Sequence, residues 1–283
     1  MQEELDAHAV AAAAVGALQA EALLTPKPGL VDRLGSGGHA DMDLAMLLRS
    51  AQSLHGTFVD LALVSSEGLP PQELRNRVGV LGRIGEATML EATGGVNTHR
   101  GALWTVGLLV VAAATERSEA GVVGAAARLA AIPDSAGAPP PSSHGQRVVR
   151  RYGVGGAVGE AVAGFPHLTQ VALPAMRGAR AAGESEDRAR LRALLALIAT
   201  LDDTCVLHRG GARGLRRMQR AARSTTRARD FDGDLRRFAA RADAARLSPG
   251  GSADLLAAAV FLDDLARSRE PASAPQELLH ADV

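Results

Sequence analysis

Three polar, glycine-rich segments of this chain each combine a histidine with acidic and basic side chains. Residues 25–43 read TPKPGLVDRLGSGGHADMD, residues 86–101 read EATMLEATGGVNTHRG, and residues 202–211 read DDTCVLHRGG. Glycine lets the backbone come close to a ligand, arginine and lysine bind phosphate oxygens, and histidine moves protons near neutral pH. This composition favours chemistry on a phosphorylated substrate, although charged surface loops and helix connectors share parts of it.

The first segment also contains Lys27, the only lysine of the chain. Pro26 and Pro28 end the apolar helical pattern that precedes it, because proline fixes φ and restricts the residue before it. An irregular segment of nineteen residues is long for a compact domain, and such loops are more often functional. The compact ammonium of Lys27 suits a phosphate oxygen or a carboxylate, and a solvated loop lysine is an equally good interpretation.

Acidic residues in and beside these segments are candidate ligands of a hard cation or candidate bases. Mg²⁺ takes oxygen ligands and usually binds one or two carboxylates together with substrate phosphates. A helix cap or a surface ion pair is the alternative role for each acid. The candidates are Asp32, Asp41, Asp43, Glu86, Asp202, Asp203 and Asp254.

Two other kinds of site are disfavoured. The histidines and the single cysteine lack the spacing of a zinc site, because neither H-x₃₋₅-H nor H-E-x-x-H occurs. No G-x-S-x-G element supports a serine nucleophile. Cys205 stands beside Val206 and Leu207, which favours a small buried hydrophobic residue over a nucleophile.

Apolar residues at helical spacing predict an all-α fold, a compact single domain with long functional loops between its helices. Apolar residues make up 47% of the chain and aromatic residues only 2%, so a core of alanine, leucine and valine is expected. Asp41 or Asp43 is expected to cap the second helix, and Thr98 the fourth. The predicted helices cover residues 3–24, 43–66, 72–92, 99–115, 119–131, 167–182, 186–201, 212–222, 231–246 and, from the segment 248–254, to about 268.

Composition also limits the class of protein. The domain is expected over residues 1–269, with a loop or lid at 133–146 and a frayed tail at 270–283. The 31 basic and 31 acidic residues give no net charge, which argues against binding of a nucleic-acid polymer through a broad basic field. The longest apolar stretch, residues 102–114, is too short to span a membrane. The acidic N-terminus and the single cysteine favour a cytoplasmic protein.

Four motifs together resemble the triphosphoribosyl-dephospho-CoA synthase family. They read TPKPGLVDR…GGHADMD, EATGGVNTHRG, DDTCVLHRGG and LSPGGSADLLAAAVFLD, and the resemblance covers about residues 5–268. The chain departs from the family at 155–161, where GGAVGEA stands in place of a sequence closer to GARGEA, and at Cys205, where an asparagine is usual. These enzymes make the prosthetic-group precursor of citrate lyase and malonate decarboxylase. The malonate decarboxylase branch is favoured, since nothing suggests a fused transferase domain.

The resemblance implies that ATP and 3′-dephospho-CoA give 2′-(5″-triphosphoribosyl)-3′-dephospho-CoA and adenine. Such a transfer needs a carboxylate near the ribose C1, a donor for adenine, a base for the 2′-hydroxyl, and Mg²⁺ with cationic groups for the triphosphate. Glu86 or His39 is the expected base, and His99 or His208 the expected donor to adenine. The expected catalytic residues are His39, Asp41, Glu86, His99 and Asp203, and the expected Mg²⁺ ligands are Asp41, Asp43, Asp202 and Asp203. The expected substrate-binding residues are Lys27, Arg33, Gly94, Gly95, Asn97, Thr98, Arg100, His208, Arg209, Gly210, Gly211 and Ser252.

Two other functions remain open from the sequence. An ADP-ribosyl hydrolase-like all-α enzyme would also break a ribose glycosidic bond in the presence of Mg²⁺ but would pass the ribose to water. A non-catalytic helical partner would keep the nucleotide pocket for binding alone. For the transferase, the expected partners are ATP, 3′-dephospho-CoA, a downstream acyl carrier protein transferase system and a second copy of the chain in a homodimer.

Overall fold

Helices account for nearly all the regular structure of the chain. The computed structural model describes residues 2–137 and 144–269, with the side chains of residues 2–5 excepted. Within these ranges there is no β-strand, and one antiparallel bridge joins Asp32 to Gly35 in the first polar segment. The all-α prediction is confirmed. The expected tail 270–283, and residues 138–143 of the expected loop, lie outside the described residues.

The helices follow one another with mostly short connections, apart from the long polar loop after the first helix and the segment 132–143, of which residues 138–143 lie outside the described part. They are α1 Gln2–Leu23, α2 Leu44–Ser53, α3 His55–Val64, α4 Pro71–Ala92, α5 Arg100–Thr115, α6 Glu119–Ala131, α7 His144–Tyr152, α8 Gly156–Val162, α9 Leu173–Ala181, α10 Glu186–Thr200, α11 Thr204–Thr226, α12 Phe231–Ala244 and α13 Gly250–Arg269. A 3₁₀ turn, Ser65–Glu67, follows α3, and a π-helical turn, Leu168–Ala172, leads into α9.

The centre of the core is formed by α1, α5 and α13, which pack against one another. Residues 102–113 of α5 are buried except Trp104, and residues 255–263 of α13 are all buried. A helix that is apolar on every side belongs inside the protein. Ala14 and Ala258 have no exposed surface, and such small residues let the helix axes come close. The expected core of alanine, leucine and valine is thereby confirmed.

The predicted helix over 43–66 is wrong in one respect, because two helices meet there at Leu54. Leu54 is fully buried and keeps helical dihedral angles of φ −81° and ψ −6°. The chain therefore changes direction without an extended linker. As a result α2 packs on α1 and α4, and α3 packs on α1, α4 and α5.

The predicted helix over 212–222 is too short, because α11 begins at Thr204 and runs to Thr226. Most of the third polar segment is thus helical, and its glycines do not interrupt it before Gly211, where φ is 59° and ψ is −167°. The helices α7 and α8 have no counterpart in the prediction. Their short, glycine-rich sequences give too few turns for a clear apolar period.

Candidate active site

The N-terminal ends of α5, α11 and α13 meet, and buried carboxylates join them. Asp203 is the N-cap of α11, where its Oδ1 accepts the N–H groups of Cys205 at 2.9 Å and Val206 at 3.3 Å. Its Oδ2 accepts the N–H and the hydroxyl of Ser252 in α13, at 2.8 and 2.9 Å. Asp203 therefore ties α11 to α13 with both of its oxygens.

Asp254 makes the corresponding link from α13 to α5. Its carboxylate accepts the backbone N–H of Ala102, and it lies so close to Gly101 that a Cβ there would be 1.9 Å from Oδ2. Burial raises the pKa of Asp254 well above its ordinary value, and the neighbouring carboxylates of Asp203 and Glu21 add to the rise. Unlike Asp203, Asp254 keeps part of its surface exposed. A carboxyl group of raised pKa is suited to accept a proton.

Lys27 is fully buried and belongs to an ion pair with Glu21 of α1. Its Nζ donates to the carbonyl oxygen and to Oε1 of Glu21, both at 2.7 Å, and its side chain is 1% exposed. Its backbone N–H donates to Asp32 Oδ2 at 2.8 Å, which fixes the start of the polar loop. The ammonium of Lys27 is thus directed into the protein, where its ion pair with Glu21 attaches the start of the polar loop to α1.

His99 is the N-cap residue of α5 and is held in a neutral form. Its Nδ1 lies 2.8 Å from Ser50 Oγ, and the Ser50 hydroxyl lies 2.6 Å from Thr98 Oγ1. Burial, with a contribution from the charge of Lys27, lowers the pKa of His99 to about 4. The predicted capping by Thr98 is wrong, because α5 has no side-chain cap and the Thr98 hydroxyl contacts Ser50 instead.

The polar loop is joined to α11 through His39 and Arg209. Arg209 donates to Gly38 O at 2.9 Å and to His39 Nδ1 at 3.0 Å. Since a guanidinium only donates, Nδ1 is the acceptor and the opposite nitrogen, Nε2, donates to Ser248 Oγ at 2.8 Å. Burial and the charge of Arg209 lower the pKa of His39 against the opposing effect of Asp41, which lies 3.7 Å away. Both ring nitrogens of His39 are therefore occupied.

Other predicted residues lie at the ends of helices. Asp43 caps α2 by accepting the N–H of Met46 at 2.7 Å, as one of the two capping alternatives predicted. Gly94 and Gly95 have φ of 64° and 90° and end α4, where the N–H of Gly95 donates to Leu90 O at 2.7 Å. Their φ > 0 geometry is the reason for glycine at these two positions.

The basic residues of the first two segments are held by neighbouring groups. Arg100 pairs with Glu86, and its backbone N–H donates to Asn97 Oδ1 at 3.3 Å. Arg33 Nε donates to Leu23 O at 3.2 Å, at the end of α1. Glu86, the expected base, is thus in an ion pair at the edge of the site.

The remaining residues of the third segment face different neighbours. His208 is exposed and stacks on His144 with ring centroids 4.3 Å apart, and partial burial lowers its pKa. Gly210 gives room to Leu247, because a Cβ there would lie 2.4 Å from Leu247 Cδ2. Gly211 supplies the kink of α11. Burial, then Asp203 and Asp254, raise the pKa of the Cys205 thiol, so it is not a thiolate at neutral pH.

Another buried acid, Glu160, pairs with His167. Glu160 in α8 accepts the N–H of His167 at 2.7 Å and lies 2.8 Å from its Nδ1. This hydrogen bond raises the pKa of His167, and the charge of Asp202 contributes. The pair lies in the part of the chain where the family motif is altered. Sequence reasoning gave Glu160 no role.

Glu21 is the clearest residue that sequence reasoning missed. It is the last acid of α1 and stands four residues before the polar loop, which is the signal that was available. Among the described residues no group of three or more His, Cys, Asp or Glu side chains is arranged to hold a metal ion. The four acids expected to bind Mg²⁺ are thus not gathered by the described chain alone.

In the described part of the chain no helix is both long enough and apolar enough to cross a membrane.

Residues 7–272 match the family described as ATP:dephospho-CoA triphosphoribosyl transferase. The chain is 50% identical over 277 residues to a probable 2-(5''-triphosphoribosyl)-3'-dephosphocoenzyme-A synthase of Stutzerimonas stutzeri, which covers 95% of this chain and 94% of the relative. It is also 50% identical over 258 residues to the 2-(5''-triphosphoribosyl)-3'-dephosphocoenzyme-A synthase of Klebsiella pneumoniae, covering 87% and 90%. No solved structure matches the chain.

Proposed function

Because the chain belongs to the ATP:dephospho-CoA triphosphoribosyl transferase family, we propose that the cluster around Asp203 and Asp254 is the site of the transfer. The chain is a transferase that uses ATP and dephospho-CoA, so the hydrolase and the non-catalytic interpretations are set aside. The observation that supports this location is the meeting of three helix N-termini. Such ends carry partial positive charge, which favours bound phosphates.

The reaction makes one bond and breaks another at the ribose C1 of ATP. The C1–N9 bond breaks, and a bond forms between C1 and the 2′-oxygen of dephospho-CoA. The proton of the 2′-hydroxyl must be accepted by the site, and the leaving adenine must receive one at N9. The atoms then balance, with the triphosphate intact and adenine released.

We assign the acceptance of the 2′-hydroxyl proton to Asp254. The residue is partly exposed, the pKa of its carboxyl group is raised, and only the N–H of Ala102 donates a hydrogen bond to it within the described residues. The competing groups are engaged, since Asp203 accepts four hydrogen bonds and Glu86 is paired with Arg100. The neutral ring of His99 can supply an N–H hydrogen bond to adenine without adding charge.

The experiment is adenine release from ATP and Mg²⁺, with and without 3′-dephospho-CoA, by wild type and Asp254→Asn. The variant is expected to lose at least about 10²-fold in kcat, the usual contribution of a general base. The free energy of unfolding of the variant should nevertheless exceed that of wild type at pH 8, and the difference should disappear as the pH falls toward 4. The reason is that a carboxyl group of raised pKa destabilises the folded protein when it is ionised and not when it is protonated.

Asp264→Asn is the matched control, because Asp264 is an acid of α13 whose side chain is partly exposed and pairs with Arg267. It should release adenine at the wild-type rate. Near-normal turnover of Asp254→Asn would remove Asp254 from the mechanism. A product lacking the triphosphoribosyl unit would count against the transfer itself.

We also propose that Mg²⁺ enters the site with the triphosphate of ATP, as part of the substrate. The absence of a three-ligand group in the described residues supports a metal held mainly by phosphates. The ion would neutralise part of the triphosphate charge. A chelator is expected to abolish adenine release and added Mg²⁺ to restore it. Release that continues without a divalent cation would contradict this proposal.

We further propose that the product is destined for malonate decarboxylase and is passed on by an acyl carrier protein transferase system in the cytoplasm. Mass spectrometry of the carrier protein after incubation with each candidate downstream transferase would test the destination. Loading of only the citrate lyase carrier would contradict it. The proposed homodimer is tested by light scattering on the purified chain, where a monomer mass would exclude it.

A further inference from the structure

One face of the molecule carries an unusual density of arginine. Residues 211–247 contain eleven arginines and four aspartates in a chain whose basic and acidic residues are equal in number. All eleven are exposed, on α11, on α12 or on the turns that follow them. We call this set the arginine face: Arg213, Arg216, Arg217, Arg220, Arg223, Arg227, Arg229, Arg236, Arg237, Arg241 and Arg246.

The arginine face is left without internal partners. Within the described residues only Arg223 and Arg237 of the eleven have a side-chain hydrogen bond or ion pair. The other nineteen arginines of the chain differ, since Arg49 alone among them has no hydrogen bond, ion pair or ring contact with the described residues. Arginines elsewhere are used to hold the fold, whereas these nine remain available.

Part of the arginine face lines an open groove between α11 and α12. Arg220, Arg223 and Arg227 lie at helical spacing on one side of α11 and border a hollow of about 570 Å³ together with Ser224 and Asp234. This volume is within the range of small-molecule sites. The groove continues, through the shared Ser224 and Asp234, into a hollow of about 310 Å³ that is also lined by Arg217, Arg237 and Arg241.

Two of these guanidinium groups are already oriented. Arg223 donates to Ala199 O at the end of α10 at 2.5 Å, and Arg237 donates to Asp234 Oδ1 at 2.6 Å. Met218 and Phe238 are buried and form the floor of the groove. Groups that are fixed before binding lose less conformational entropy when a ligand arrives.

We propose that the groove between α11 and α12 binds a ligand with several linked phosphoryl groups. The planar guanidinium donates two parallel hydrogen bonds to a phosphate, and arginine is preferred over lysine where this geometry matters. From Arg220 to Arg227 the helix rises about 10 Å, a span that suits linked phosphoryl groups better than a single phosphate. Phe238, the aromatic residue of the lining, is buried, so the groove offers no exposed aromatic ring on which a nucleotide base would stack.

The groove is separate from the proposed transfer site. Arg220 follows Arg209 by eleven residues, about 16 Å along α11, with the kink at Gly211 between them. Two sources supply a ligand of this chemistry. One is a substrate or product of the enzyme that extends from the transfer site, and the other is an independent nucleotide or inorganic polyphosphate. The chemistry is the same, and kinetics distinguish the two sources.

The test compares wild type with the double variant Arg220→Gln/Arg227→Gln, using inorganic triphosphate as the probe in isothermal titration calorimetry at fixed ionic strength. Arg49→Gln is the matched control, an exposed arginine equally free of partners but outside the groove. The double variant should lose one binding event or weaken it at least about tenfold, since each lost arginine removes charge-assisted hydrogen bonds. Arg49→Gln should bind as wild type does.

Equal binding of triphosphate by wild type and double variant would overturn the proposal, as would equal affinity of wild type for inorganic phosphate and triphosphate in the groove. A raised KM for ATP or dephospho-CoA at unchanged kcat identifies the substrate as the source. Unchanged kinetic constants with lost triphosphate binding identify an independent ligand. Neither result depends on Asp254, so failure of the proposed transfer mechanism leaves this test intact.

Discussion

The titratable side chains of the transfer site are shifted toward their neutral forms. Burial raises the pKa of Asp254 and Asp203 and lowers that of His99. The raised pKa makes the ionised form of Asp254 a stronger base, and the neutral ring of His99 adds no charge to the site. The Lys27–Glu21 pair adds no net charge, so the positive potential comes from the helix ends and from Arg209.

His99 predicts a measurable dependence of stability on pH. Its pKa is about 4 in the folded protein against an ordinary value of 6.5, so the unfolded chain binds the proton more readily. The stabilisation is complete above pH 6.5 and decreases as the pH falls to 4, by about 3 kcal/mol for a difference of about 2.5 pKa units. His99→Gln should show a flatter decrease of the unfolding free energy over this range in guanidinium titrations.

His55→Gln serves as the control for this measurement. His55 stacks on His8, with ring centroids 5.7 Å apart, outside the transfer site. Its variant should keep the wild-type pH dependence. An identical slope in His99→Gln and wild type would show that His99 is protonated as easily in the folded protein as in the unfolded chain.

Single residues were predictable where chemistry and loop position coincided. His39, Arg209, Asp203 and Ser252 were identified by type and do come together. Lys27 was singled out correctly as unusual, but its burial was not predicted, because its partner Glu21 looks like any helical acid in sequence. A contact between the end of a helix and the loop that follows it depends on how the chain turns, and residue types do not encode that turn.

At the scale of elements, the first half of α11 is fixed to its neighbours while its second half carries the arginine face. Asp203 and Arg209 join the first half to α13 and to the polar loop. The two halves meet at Gly211, whose φ of 59° and ψ of −167° lie in a region that other residues adopt at a cost. The kink therefore sets the angle between the transfer site and the groove.

Gly211→Ala is expected to lower the unfolding free energy by about 1–3 kcal/mol, through backbone strain rather than a clash. A Cβ at this position would lie 3.4 Å from the Tyr152 hydroxyl, which is an ordinary contact. Gly82→Ala in α4 is the control, because no atom lies within 4 Å of a Cβ there. It should stabilise the protein by about 0.5–1 kcal/mol, as alanine does inside a helix. Equal effects of both changes in thermal unfolding would contradict the strained kink.

Helix ends were predicted well where proline or glycine marks them. Pro26 follows the end of α1, and Gly94 and Gly95 end α4, each close to its predicted boundary. The start of α11 was missed because glycine and charge between 202 and 211 weaken every local helix signal. The cap from Asp203 and its bond to Ser252, 49 residues away, outweigh that weak propensity.

At the scale of the whole molecule, zero net charge conceals a separation of charge. Residues 211–247 carry seven more positive than negative side chains, so the remainder carries seven more negative ones. The argument from the sequence against a broad basic field used only the net charge of the chain, which contains no information on where the charged residues lie. The arginines are concentrated because they lie on the exposed sides of two consecutive helices, α11 and α12.

The fold also predicts that the chain unfolds as one unit despite its length. A single continuous hydrophobic cluster extends from Ala7 to Leu265 and includes residues of α1, α5 and α13. Trp104 is the only tryptophan and lies in α5 with the guanidinium of Arg75 5.3 Å from its ring, so its fluorescence reports on the contact between α4 and α5. Tryptophan fluorescence and far-ultraviolet circular dichroism should give coincident transitions in guanidinium. Different midpoints would show that the α4–α6 side of the molecule opens independently of the helices that hold the transfer site.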